Sequence, residues 1–105
     1  MIVYKVEREW NCYGDGGRVI KLYSGKDKAV EAFKEQVEGA KEIYYFAFDT
    51  DGKPFDDFVF EEDDDMWTVF EKGFYDENRC EVTLTPMRVE WYEKGREIAP
   101  PFIER

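Results

Sequence analysis

The sequence predicts an α+β domain, a mostly antiparallel sheet of about five strands with one main helix on one face. Three observations lead there. Residues 2–10 and 18–23 alternate with period two on either side of the glycine-rich NCYGDGG at 11–17, the pattern of an antiparallel hairpin. Residues 26–38 carry Ala29, Val30, Phe33 and Val37 at three- and four-residue spacing, the stripe of a helix with one buried side. The most apolar run, IYYFAFD at 43–49, has Ile43, Tyr45 and Ala47 on one face and Tyr44, Phe46 and Phe48 on the other. A strand apolar on both sides is usually covered on both, so this run is expected as the central strand.

In the first strand Ile2, Tyr4, Val6 and Trp10 oppose Val3, Lys5, Glu7 and Glu9; in the second Ile20 and Leu22 oppose Val19, Lys21 and Tyr23. Ser24, with Asp27 three residues on, reads as an N-cap in a capping-box arrangement. Gly39 reads as the C-cap that ends the helix. After the apolar run, Asp51-Gly52 signals a hairpin turn and Pro54 closes it before FDDFVFEE at 55–62, an acidic strand suited to a sheet edge.

Asp63, Asp64 and Asp65 then precede MWTVFEK and Gly73, which reads as a short second helix over 65–72, with acids at its N-terminus and Met66, Val69 and Phe70 on one face. A strand competes, since Trp67, Thr68 and Val69 are also strand formers. FYDENR at 74–79 is a loop, and CEVTL at 80–84 a strand with Cys80, Val82 and Leu84 inward. Met87, Val89 and Trp91 have the opposite parity, so a bulge or tight turn is expected at Pro86. A turn at Lys94-Gly95 and the Pro100-Pro101 pair leave 1–99 as a single domain and 100–105 as a loosely ordered tail, with Ile98 or Phe102 free to dock.

At 105 residues the chain fits one core, and 43% hydrophobic residues supply it despite a net charge of −10. Residues 49–77 hold twelve acids and two bases, Lys53 and Lys72, which accounts for the whole negative excess of ten. Direct binding to nucleic acid is disfavoured, because affinity for phosphate comes from Lys and Arg. The opening MIVYKVEREW carries charges where the apolar core of a signal would stand, and no run approaches membrane-spanning length. A cytoplasmic protein without membrane contact is therefore expected. Cys12 and Cys80 read as two reduced thiols in that compartment.

The opening, MIVYKVE followed by RVIKLYSGKDKAVEAFKEQVE, resembles small uncharacterised phage and prophage proteins of Gram-positive bacteria, in which a two-strand hairpin runs into a serine-capped helix. The likeness covers about forty residues and rests on structural positions, so it carries over no functional residue. It implies origin on a mobile element and a role against a host system, in the cytoplasm of the host cell.

No catalytic signature stands out. The absence of histidine excludes His-dependent triads, histidine general bases and the common zinc sites. Asp49-Thr50-Asp51-Gly52-Lys53 fails as a calcium loop, because Lys53 and Pro54 follow where ligands should. Glu61, Glu62 and the aspartates at 63–65 are oxygen ligands in type, but five adjacent acids point several ways into water; no metal or other cofactor is expected. An acid-rich chain supplies many carboxylate pairs, and nothing marks one for acid–base work.

The acidic segment is the leading candidate site. It could meet a basic channel much as a duplex presents phosphates, with steered, salt-sensitive association; the bland alternative is a solvated face that keeps the protein soluble. On the first reading the chain is a non-catalytic inhibitor, as monomer or homodimer, of a basic, nucleic-acid-handling host protein. An anti-CRISPR protein acting on a Cas nuclease is the most concrete version. Asp56, Asp57, Glu61, Glu62, Asp63, Asp64 and Asp65 would pair with Arg and Lys, and Trp67 or Tyr75 would supply an apolar anchor. The alternatives are a phage structural or assembly protein that self-associates through an edge strand, and a small-molecule-binding protein with an aromatic pocket.

Overall fold

The computed structural model describes residues 2–74 and 77–88, together with the backbone of Ile103–Glu104. Strands β1 (Ile2–Cys12), β2 (Asp15–Tyr23), β3 (Phe58–Asp63), β4 (Met66–Glu71) and β5 (Asn78–Arg88) form an antiparallel sheet with the helix α1 (Lys26–Ile43) on one face. Ile103–Glu104 adds a short parallel strand, β6, beside Leu22 and Tyr23, giving the order β3-β4-β5-β1-β2-β6. The architecture is the expected α+β class, but β1 and β5 are its centre.

The β1–β2 hairpin is tighter than the glycine-rich segment suggested. Cys12 pairs with Asp15, so the loop is Tyr13 and Gly14, both at positive φ, 49° and 93°. A two-residue loop of this kind matches the twist of paired strands. Gly16 and Gly17 lie within β2, and at Gly17 the Trp10 indole crosses so closely that a Cβ would stand 2.5 Å from the ring.

Helix α1 starts where expected, but Ser24 does not cap it. Gly25 is the N-cap, and among the described residues no side-chain cap hydrogen bond is made there. The helix also runs through Gly39, and this overturns the central strand at 43–49. Ala29, Phe33, Val37 and Ala40 are buried along one stripe, and Tyr44, just past the last turn, continues it. Gly39 serves a close approach rather than a helix end: a Cβ there would lie 3.0 Å from a terminal guanidinium nitrogen of Arg8 in β1. Ile43 is the last helical residue, and Tyr45–Ala47 form a 3₁₀ turn. Asp51-Gly52 does turn the chain, with Gly52 at φ 79° and the Asp49 carboxylate accepting the amides of Asp51 and Lys53 at 2.9 Å each. It joins only a single bridge, Phe48 to Pro54, and β3 begins three residues later than the strand expected from Phe55.

The second helix does not form; the competing strand does. Residues Met66–Glu71 are β4, with Trp67 and Val69 buried at 1% exposure and Met66, Thr68 and Phe70 on the other side. Aromatic and β-branched residues at alternate positions fill a pleated surface better than a helix face. The aspartates at 63–65 make the β3–β4 turn, Asp63 pairing with Met66.

Pro86 likewise brings no bulge, since β5 keeps continuous register with β1 past it, Tyr4 opposite Pro86 and Lys5 opposite Thr85. The Leu84 amide donates to the Asp65 carbonyl at 2.9 Å, on the side where β4 ends. Two residues on, Pro86 faces that same side beyond β4, where no ladder bond asks for its missing N–H. Val89, Trp91, Lys94-Gly95, Ile98, Pro100-Pro101 and Phe102 lie outside the described residues.

The core sits between α1 and the face of the sheet that carries Val6, Trp67, Val69, Cys80 and Val82. Phe48, Phe60 and Trp67 extend it toward β3, with ring centroids 5.1 to 6.1 Å apart. Cys12 and Cys80 are free; Cys80 opposes Trp10 and Cys12 opposes Asn78, so the two thiols are diagonal rather than paired.

Candidate functional site

Strand β3 stands at one edge of the sheet, and its residues set where the acids go. Asp56 and Asp57 precede it in a turn closed by the Phe58 amide on the Phe55 carbonyl at 2.9 Å. Along β3 side chains alternate, so Glu62 opposes Trp67 on the helix side and Glu61 opposes Thr68 on the other. Asp63, Asp64 and Asp65 follow at the turn, where the Asp64 amide donates to the Asp63 carboxylate at 2.8 Å. All seven side chains are exposed, and among the described residues none is in an ion pair.

The acids form an edge rather than a converging cluster. Among the described residues, no group of three or more Cys, Asp or Glu side chains is placed to hold a metal ion. On the helix side the edge borders a groove of about 460 Å³, where Glu62, Asp63 and Asp64 share walls with Lys34 and Lys41 of α1. Toward the start of α1, Lys26 and Lys34 share a second hollow with the three aspartates of the turn. These lysines moderate the field on that flank without closing salt bridges to the edge.

The second face of the sheet contrasts with it. Arg18 binds Glu9 and lies 3.0 Å from Glu7, Arg79 binds Glu9 and lies 3.6 Å from Glu81, and Lys5 lies 3.5 Å from Glu7. Hydrogen bonds from Arg18, then Arg79, hold the Glu9 carboxyl below its ordinary value. There the charges neutralise one another across β2, β1 and β5. At the end of the sheet near the β1–β2 loop, Glu71 accepts the Tyr13 hydroxyl and, at 2.9 Å, the Asn78 amide. These bonds, Tyr13's first, lower the Glu71 carboxyl, and the same bond raises the Tyr13 phenol.

Trp67 cannot anchor a partner from the surface, because it is in the core, and Tyr75 lies outside the described residues. Exposed apolar side chains lie elsewhere: Ile2, Tyr13, Ile20, Phe74 and Met87, and, apart from these, a further group just past the end of α1. Tyr45 is 73% exposed and Phe55 49%, with Ile43 and Phe46 beside them in sequence or space. Ile43, Tyr45 and Phe46 were hidden by the strand expected at 43–49, and Phe55 by the one expected from 55. Carrying the helix stripe on from Val37 through Ala40 to Tyr44 would have turned Tyr45 and Phe46 outward.

Among the described residues no helix is long and apolar enough to cross a membrane. Comparison with protein-family models, curated proteins and solved structures finds no match.

Proposed function

We propose that this chain is a non-catalytic binding protein whose acidic β3 edge occupies a basic, nucleic-acid-binding surface of a partner, as a phage-type inhibitor of a host defence protein would. The observation that carries the reading is the set of seven exposed acids, Asp56, Asp57, Glu61, Glu62, Asp63, Asp64 and Asp65, without an ion pair among the described residues. The strand geometry of β3 adds to it, because alternation sends Glu62 to the helix side and Glu61 to the other, so the edge presents carboxylates in both directions beside the aspartate turn. The acids along this edge also oppose sheet-to-sheet pairing through β3, which weighs against self-assembly by that route. A Cas nuclease is the most concrete target, within the host cytoplasm.

The test is a pull-down from host-type lysate at low and moderate salt, with Asp63→Lys, Asp64→Lys and Asp65→Lys combined as the control. The reading expects a nucleic-acid-handling protein held by the wild type, released as salt rises, and not held by the reversal. Equal retention by both proteins, or none by either, removes it.

A further inference from the structure

One group of exposed apolar side chains lies between the end of α1 and the start of β3. The Tyr45 ring meets Phe46 at 6.0 Å, Phe46 meets Phe58 at 5.9 Å, and the Phe55 amide donates to the Ala47 carbonyl at 2.9 Å. The 3₁₀ turn and the loop into β3 therefore hold the Tyr45 and Phe46 rings together and bring the backbone of Phe55, whose side chain is also exposed, alongside that turn. Exposed aromatics gathered in this way are typical of interface cores.

What surrounds the patch selects its occupant. Glu42, Asp49, Asp51, Asp56 and Asp57 are exposed and, among the described residues, unpaired, and Lys53 is the one base between residues 42 and 57. Beside Tyr45 lies a hollow of about 360 Å³ whose walls include Phe48, Phe60, Asp49 and Glu62. Lys41 also lines it but is engaged with Glu38 at 3.4 Å. One Asp49 oxygen takes both turn amides, and the other has no partner among the described residues. A long cationic side chain laid here rests its methylenes on the rings and carries its charge to the carboxylates.

We propose that this end of the molecule is a docking surface for a basic amphipathic segment of a partner protein. Its apolar side chains cover Tyr45, Phe46 and Phe55, and one Arg or Lys enters the hollow. A second copy of this chain fits poorly, because a two-fold contact through the patch would set one acidic rim against another. The proposal rests on the reading of this chain as a binder of basic protein, and it supplies the apolar anchor that the buried Trp67 cannot.

The experiment is fluorescence anisotropy with a labelled synthetic helix of Lys and Leu, amphipathic by design, and a control peptide of equal charge with Gly and Ser in place of Leu. The proteins are the wild type, the double variant Tyr45→Ser with Phe55→Ser, and the 63–65 charge reversal. Both substituted rings are exposed, so the double variant is expected to fold, with circular dichroism as the check. The proposal expects saturable binding of the Lys–Leu peptide, weakened at least about tenfold in the double variant and for the control peptide. The 63–65 reversal adjoins Glu62 in the wall of the hollow and lowers the attraction for any cationic peptide, so it should weaken both peptides while the Lys–Leu peptide keeps its lead of about tenfold over the control. If the double variant binds like the wild type, or the two peptides bind alike, the patch is overturned while the acidic edge stands. No peptide binding, or a dimer in sedimentation that the double variant abolishes, also overturns it, the latter by making a second copy the occupant. The lysate pull-down is scored separately, so its failure and this one are distinguishable.

Discussion

The Tyr44 hydroxyl, just past the end of α1, reaches the carbonyls of Asn11 in β1 and Arg79 in β5 at 2.9 Å each. One buried phenol thus ties the helix end across the two central strands, and burial pushes its pKa up, keeping it neutral. Tyr44→Phe keeps the ring but removes the one hydroxyl proton that the part-buried carbonyls of Asn11 and Arg79 share. The expected loss is about 1–3 kcal/mol of unfolding free energy, measured by urea denaturation. A variant as stable as the wild type would mean that other groups serve those carbonyls.

Gly17 is fixed by Trp10 rather than by its backbone angles. A methyl group there meets the indole at 2.5 Å, and the ring is part of the packed layer against the core. Gly17→Ala is expected to cost about 1–3 kcal/mol as an overpacking change. Gly14→Ala meets no atom within 4 Å and is strained only through φ 93°. Comparing the two in urea separates contact from conformation.

Acid should loosen the second face of the sheet. The Glu9 carboxyl titrates below its ordinary 4.5 in the folded protein, chiefly through Arg18 and then Arg79. Its contribution is therefore present above the unfolded value and is lost as pH falls through the lower folded value. Glu9→Gln should give a shallower decline in urea midpoint below about pH 4.5. Parallel wild-type and variant curves would remove Glu9 from the account.

Burial pushes the Cys80 thiol up to about 12, so at neutral pH almost none of it is thiolate. Native protein treated with iodoacetamide should keep Cys80 unmodified, and urea should expose it, as peptide mass spectrometry would read. Rapid alkylation in the native state would show that the β4–β5 layer opens readily.

Much of the fold was legible because local pattern and packing agree. The β1–β2 hairpin, the buried stripe of α1 and the inward set Cys80, Val82 and Leu84 all follow from periodicity. Elsewhere the local signal had two readings and tertiary contact chose. Gly39 resembles a helix end, yet it sits where Arg8 approaches, a contact that no short window contains. Three aspartates resemble a helix start, yet Trp67 and Val69 needed alternate positions facing the core. Pro86 resembles a break until β4 is seen to stop short of it. For the candidate site, charge was legible and shape was not. The acids could be counted directly, whereas the exposure of Tyr45 and Phe55 depends on where α1 ends and on the loop that follows.

The central pairing joins the first strand to one of the last. Partners from Cys12 with Asn78 to Ile2 with Arg88 are separated by 66 to 86 residues, and most of the chain lies inside that loop. Contacts this distant in sequence slow folding, since the loop must close before they repay its entropy. During synthesis the β1–β2 hairpin and α1 emerge first, but β1 keeps an unsatisfied edge until β5 has left the ribosome. The acidic stretch arrives within that interval, and its charge repels like chains while the edge is bare, so the residues proposed to attract a partner also guard the nascent protein against its own copies.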